Sequence, residues 1–290
     1  MSDFVKLHAK HFDMKKFISN ALKEDVGDGD HTVLSTIPLS HKGKMELKIK
    51  EDGILAGVKA AQLIFKEADN KIKFKAVIKD GEKVKKGQVA FTVEGNTRKL
   101  LSTERLVLNV MQRMSGIATK TNYLQSLCTG TKTKVIDTRK TTPGFRFFEK
   151  WAVVLGGGAN HRYGLFDMIL IKDNHIDFCG GIEKAIDAAN IYLKKKKKKL
   201  KIEVETRSID DVKKVLVHGG VHRIMLDNFS VSETARAVAY INGKYEVESS
   251  GGITEVNIAD YAKCGVDFIS VGALTHHVKS LDLSLKTLGK

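Results

Sequence analysis

Proline is nearly absent from this 290-residue sequence, which holds only Pro38 and Pro143. Helices and strands must therefore be punctuated by glycine and capping residues, and Pro143 stands out inside a cation-rich stretch. Cysteine is scarce as well: Cys128, Cys179 and Cys264 are scattered, with no CxxC spacing. That excludes a disulfide framework or zinc knuckle and suits a reducing cytosol. No apolar run reaches the roughly eighteen residues of a membrane span. Residues 1–16 are studded with Lys, His and Asp and lack the apolar core of a secretory leader. A cytoplasmic location is the expectation. Net charge is +15, but six of the cations form one block, Lys194–Lys199, between a helical and a strand pattern. Such a block is usually a solvated loop or helix end. With no aromatic-rich RNA-binding motif, zinc finger or repeated basic stripe, nucleic-acid binding is not supported.

What is there is ordinary globular material, 42% hydrophobic and 29% charged, enough for one large or two modest domains. Met14, Phe17, Ile18, Ala21 and Leu22 fall on one helical face, with Asp13 as N-cap and Gly27 as stop. Asp25, Asp28 and Asp30 follow in a glycine-punctuated loop. A calcium loop would close on glutamate where Thr36 or Leu39 stands, so the loop reads as structural. From Lys44 to Val93 strands (Met45 to Ile49, Ile72 to Ile78) surround a short helix near Ala60 to Glu67. Asp80 to Gly87 resembles the turn of a biotinyl carrier, without its lysine-bearing hairpin tip. Ser102-Thr103 is read as the cap of a helix running to about Met114. That puts Arg105 in the first turn, where a cation opposes the helix dipole by a few tenths of a kcal/mol or more. Arg105 is then either a solvent-facing residue or one that reaches an anion.

From about residue 117 strand and helix alternate. Strands at 134–138, 168–171, 202–205, 224–226, 245–248 and 268–271 each end in charged or glycine-rich residues. Amphipathic helices are expected over Ile182 to Tyr192, Ile209 to His218, Val231 to Tyr240 and Thr254 to Cys264. This predicts an α/β fold with a parallel sheet, a β/α barrel whose site lies at the C-terminal strand edge. An open doubly wound sheet is the alternative.

At that edge Arg139, Lys140, His161, Arg162, Lys172 and His175 gather within about forty positions, a poor way to build a core and a good way to hold a compact polyanion. The arginines are fork-shaped cations suited to carboxylates; Lys140 and Lys172 are point charges suited to pyrophosphate or developing charge. Glu203 and Glu205 share one strand face, costly inside a barrel without a metal or polar substrate. Glu205 and Asp227, at adjacent strand ends, are the candidates for ribose hydroxyls and Mg²⁺. Ser250-Gly251-Gly252 and Gly272-Ala273 follow the last two strands and are candidates for binding phosphate on backbone amides. Gly156-Gly-Gly158 does not have dinucleotide-site spacing.

These residues resemble those of the quinolinate phosphoribosyltransferases. The resemblance is carried by Asp137-Thr-Arg-Lys-Thr-Thr-Pro-Gly144, Glu149-Lys-Trp-Ala152, Gly156 to Arg162, Leu170 to Ile176, Glu203-Val-Glu205, Met225 to Asn228, Ser250 to Ile253 and Ser270 to His276. Glu104-Arg105, Gln112 to Ala118 and Glu24 to Asp30 also match. It covers nearly the whole chain; the lysine block departs from it. The resemblance implies an N-terminal α/β sandwich domain (1–116, with a tail, 277–290, packed on it) and a partial, open β/α barrel domain (117–276). It implies quinolinate bound by Arg105, Arg139, His161, Arg162 and Lys172. Phosphoribosyl pyrophosphate would be bound by Lys140, Glu205, Asp227, Ser250, Gly251, Gly252, Gly272 and Ala273, with Lys140, Glu205 and Asp227 catalytic. It further implies Mg²⁺ as the cofactor and a homodimer in which Arg105 crosses the interface. The implied product is nicotinate mononucleotide, with pyrophosphate and carbon dioxide, on the route to NAD. Competing readings are a Schiff-base lysine at Lys140 or Lys172, a same-fold enzyme with another acceptor, and a basic nucleic-acid-binding protein whose RNA binding would depend steeply on salt through Lys194–Lys199.

Overall fold

Asp13 caps the first helix, Met14–Val26, by accepting the Lys16 amide at 2.9 Å, and Gly27 ends it at a φ of 56°. The neighbouring aspartate loop is structural: Asp30 accepts the Val33 amide at 3.0 Å and caps the helix His31–Thr36. These elements belong to a computed structural model that describes residues 8–288. Residues 1–7 and 289–290, parts of the amino-terminal stretch and of the tail considered above, lie outside the described residues.

The chain divides into two units: Met1–Asn122 with Thr141–Gly157 and Thr275–Lys290, and Tyr123–Lys140 with Gly158–Leu274. The first is built on strands β1 (Lys42–Ile49), β2 (Gly53–Ile54), β3 (Lys73–Ala76), β4 (Lys83–Val84) and β5 (Val89–Asn96). Along β1 alternate residues Met45, Leu47 and Ile49 are buried, the pattern of a sheet with one face on the core. Asp80 accepts the amides of Val58 and Lys59 at 2.8 and 3.0 Å. The carrier-like turn is therefore a cap for the helix Val58–Ala68.

Two features of this unit differ from the sequence expectation. The helix expected from Ser102-Thr103 spans Thr97–Leu127. Ser102 bonds to Asp30 and Thr103 to the carbonyl of Lys99, so neither hydroxyl is left to cap a helix start. Arg105 thus lies beyond the first turn, and no dipole penalty applies to it. The segment 141–157, expected with the barrel, belongs to the first unit. Its helix, Arg146–Leu155, stacks Phe147 on Phe12 at 4.5 Å and sets Phe148 edge-on to Phe12 at 5.4 Å.

The second unit holds β6 (Lys134–Ile136), β7 (Met168–Ile171), β8 (Lys201–Thr206), β9 (Arg223–Asp227), β10 (Glu246–Ser250) and β11 (Phe268–Ser270). They form one parallel sheet in the order β6-β11-β10-β9-β8-β7. A final strand, β12 (Leu283–Thr287), returns to the first unit and gives its sheet the antiparallel order β12-β1-β5-β3. In the parallel sheet the first strand has moved beside the last, the order of a barrel left open between β6 and β7. Beside β6, Ala159 bridges to Ile136 and its amide donates to Val135 at 2.9 Å. The segment carrying Asn160, His161 and Arg162 thereby continues the wall. The six strands fall where the sequence places them, because each is a short β-branched run that ends in charge or glycine.

Candidate active site

The register sets the site. Within the second unit Glu203 pairs with Arg223, Glu205 with Met225, and Ser250 with Asp227. Residues two apart share a face. Glu203 and Glu205, Arg223 and Asp227, and Glu248 and Ser250 therefore form ladders toward the C-terminal strand edge. Arg139 and Lys140 follow β6, and Lys172 follows β7 at the same edge. Arg139, Lys140 and Lys172 are exposed, while Arg162 is half-buried.

The cations and carboxylates meet there. Lys172 Nζ lies 3.5 Å from Glu205 Oε2, and the Asp173 amide donates to Glu205 Oε1 at 3.4 Å. Burial raises the Glu205 carboxyl above the usual carboxylate range, Lys172 opposes this, and Asp227 raises it further. The two carboxylates at these adjacent strand ends carry like charge and repel one another. Arg162 donates to the Met168 carbonyl at 3.1 Å, and burial, then the Arg139 charge, pushes its guanidinium down. His175 instead accepts the Lys172 amide at 2.9 Å and shapes the start of the helix Asp173–Cys179.

Asp137 is fully buried at the end of β6. It accepts the His161 amide at 3.0 Å, and the Asn160 side chain donates to its other oxygen. The His161 ring accepts the Arg162 amide on Nδ1 at 2.8 Å, so its proton sits on Nε2, 2.8 Å from Glu203 Oε2. Glu248 Oε2 lies 3.6 Å from the same nitrogen and accepts from Arg223 Nη1 at 2.9 Å. His161, Glu203 and Glu248 place ligand-type atoms within 4.8 Å of one another. The Arg223 guanidinium and the imidazole N–H already fill the cation's place.

The phosphate candidates lie on the same edge. Gly251 has a φ of +89°, and an added Cβ would strike Asn228, so glycine is required there. The helix expected directly after it begins only at Ile258, and the one after Gly272 spans just Ala273–His276. Amides of turns, not long helix starts, are what these glycines present.

Sequence reasoning missed Arg223 and Glu248, whose signal was charge at alternate positions of strands in a buried sheet. It also missed Glu149. That fully buried residue accepts from Arg113 at 3.0 Å and from the Thr142 amide and hydroxyl at 3.0 and 2.9 Å. It fixes the chain two residues beyond Lys140. Arg105 is an exposed residue of the first unit. At the opposite, N-terminal ends of the strands a cavity of about 500 Å³ is lined by Lys132, Lys201, His222, Lys244, Glu246 and Asp267. Two of its lysines pair with carboxylates, Lys132 with Asp267 at 2.6 Å and Lys201 with Glu246 at 3.3 Å, and Lys244 donates to the Leu216 carbonyl at 2.8 Å.

Comparison with known proteins agrees with this architecture. Residues 30–115 match the model of the quinolinate phosphoribosyl transferase N-terminal domain and residues 117–286 that of the C-terminal domain. A Nicotiana tabacum protein named quinolinate phosphoribosyltransferase [decarboxylating] 1b is 45% identical, over 95% of this chain and 82% of its own length. The Arabidopsis thaliana nicotinate-nucleotide pyrophosphorylase [carboxylating], chloroplastic, is also 45% identical, over 95% and 83%. Among solved structures, NadC from Streptococcus pyogenes superposes with a TM-score of 0.89 at 37% identity, covering 95% of this chain and 97% of that one.

Proposed function

The chain belongs to the quinolinate phosphoribosyltransferase family, and from that premise we propose that it transfers phosphoribosyl from phosphoribosyl pyrophosphate to quinolinate with loss of carbon dioxide. The products are nicotinate mononucleotide and pyrophosphate, in NAD biosynthesis. One observation carries the reading: in one unit Lys172 lies 3.5 Å from Glu205, which Asp227 repels, while Arg162 and Arg139 act on one another's charge.

Quinolinate carries two adjacent carboxylates. Arg139, Arg162 and Lys172 grip them, with His161 at the base and Arg105 supplied by a second copy in a homodimer. This orientation presents N1 to C1′ of the sugar. Lys140 meets the charge that develops on departing pyrophosphate. Glu205 and Asp227 hold the ribose hydroxyls and stabilise the cationic sugar. The amides around Ser250, Gly251, Gly252, Gly272 and Ala273 take the 5′-phosphate. Once N1 is alkylated, the pyridinium ring draws the electrons of the departing C2 carboxylate.

Mg²⁺ is part of this proposal. The hard oxygen donors of Glu205, whose carboxyl is raised by burial and by the Asp227 charge, and of Asp227 itself fit such an ion. When bound it would neutralise pyrophosphate charge. A cytoplasmic location also belongs to the reading, supported by three free cysteines and by the lack, among the described residues, of a helix long and apolar enough to cross a membrane.

Substrate choice tests the proposal. Turnover should require quinolinate, and nicotinate, which lacks the second carboxylate, should be processed at least about a hundredfold less well, the scale of a lost charged contact. Equal turnover of the two would refute the clamp. Arg139→Ala should raise the KM for quinolinate, and an unchanged value would remove that residue from the site.

A further inference from the structure

We infer that His161, Glu203, Glu248 and Arg223 form a buried positioning assembly that sets the backbone of Arg162, and through it the grip on the pyridine carboxylates. The inference rests on Arg162 being a quinolinate-binding residue.

The assembly begins at the Arg162 amide, which donates to His161 Nδ1 at 2.8 Å. That bond fixes the tautomer, because an accepting Nδ1 leaves the ring proton on Nε2. Nε2–H then donates to Glu203 Oε2 at 2.8 Å. The ring is pinned from both ends, so His161 holds the clamp from its base. Beyond it, Arg223 bonds Glu248 at 2.9 Å, reaches Glu246 at 3.2 Å and lies 3.9 Å over the Phe268 ring.

The placement ties this cluster to the site. Glu203 lies two residues before Glu205, Arg223 four before Asp227, and Glu248 two before Ser250, each pair on one strand face. The cluster thus forms the layer directly beneath the groups at the strand ends. Branched apolar residues usually fill that layer of a barrel. Here two carboxylates are fully buried with an arginine and a histidine, and such charges commonly give less stability than apolar side chains of the same volume. Packing alone therefore does not account for them, whereas holding Arg162 does.

The charges balance with one proton. Glu248 faces Glu203 from β8, Arg223 from β9, His161 from the bridging segment and Ser270 from β11, with Arg162 and Glu246 acting on Glu203. Burial, then the Glu203 charge, pushes Glu248 up to about 8. At neutral pH it is the protonated member, leaving Glu203 as the one fully buried carboxylate opposite the guanidinium, whose outer side the partly exposed Glu246 reaches.

The test is steady-state kinetics and melting of Glu203→Leu and Glu203→Gln beside Arg162→Ala. Glu203→Leu should raise the KM for quinolinate about tenfold, the low end for loss of a supporting hydrogen bond. The KM for phosphoribosyl pyrophosphate should hold, and a cooperative melt, at a temperature lowered by the unpaired ring N–H, shows that the variant is folded. Glu203→Gln, which keeps an oxygen for the ring N–H, should recover most of the loss. Should the leucine variant not fold, His161→Asn, which keeps an acceptor near the Nδ1 position, should bind quinolinate better than His161→Leu. An unchanged quinolinate KM in Glu203→Leu, an equal rise for both substrates, or no difference between the two His161 variants overturns the inference. If Arg162→Ala leaves the quinolinate KM unchanged, the reading of the site fails with it; if only Arg162→Ala raises it, the site stands and the positioning role falls.

Discussion

At Asp137 a single buried carboxylate accepts the His161 amide and the Asn160 side chain. Asp137→Ala would take the buried acceptor of both donors away, at about 1–3 kcal/mol for such a group. Urea unfolding should show a loss of that size, and an unchanged midpoint would mean water replaces the carboxylate. Glu248 gives a pH prediction. Its carboxyl is raised from 4.5 to about 8 in the fold, so the folded state binds the extra proton between those values. Its contribution is complete below about 4.5 and declines as pH rises through about 8, by up to about 1.4 kcal/mol per unit. Glu248→Gln should flatten this slope in melts taken from pH 5 to 8.5; an identical slope would assign it to other groups. Arg139, Lys140 and Lys172 were legible because each follows a short apolar strand. Arg223 and Glu248 were not, because their partners lie on other strands and only the register brings them together, nor was Asp137, whose partners lie on the segment bridging to β6.

Among the elements, the helix Ile182–Lys196 shows what the lysine block does locally. Lys194, Lys195 and Lys196 form its last turn, where cations complement the dipole, and Lys197 is the cap in the left-handed region at a φ of 52°. Lys197→Gly should stabilise by up to about 1 kcal/mol, since glycine takes that conformation without strain. A lower melting temperature would contradict this. In the helix Thr97–Leu127, a Cβ on Gly116 would collide with the Lys279 carbonyl and crowd Ser280. Gly116→Ala should destabilise by about 1–3 kcal/mol through overpacking of backbone that cannot yield. Strand ends and the Asp13 cap were readable from local pattern. The start at Thr97 was not, because Ser102 and Thr103 look like caps until their hydroxyls are seen bonded to Asp30 and to the Lys99 carbonyl.

For the molecule as a whole, alternating strands and helices foretold the parallel sheet, and the motifs the family. The grouping of 141–157 with the first unit depends on aromatic stacking against Phe12 and Phe17, which no spacing reveals. The proposed homodimer has a direct consequence. Mixing inactive Arg105→Ala with inactive Lys140→Ala subunits should restore part of the activity, and no recovery would place Arg105 outside a shared site. The central claim is that a doubly acidic pyridine and an activated phosphoribose meet on the C-terminal edge of the open barrel. Supplying the purified protein with quinolinate, phosphoribosyl pyrophosphate and Mg²⁺ and following both small products tests it most directly. Carbon dioxide and pyrophosphate should appear together in a one-to-one ratio; release of either without the other, or of neither, would contradict it.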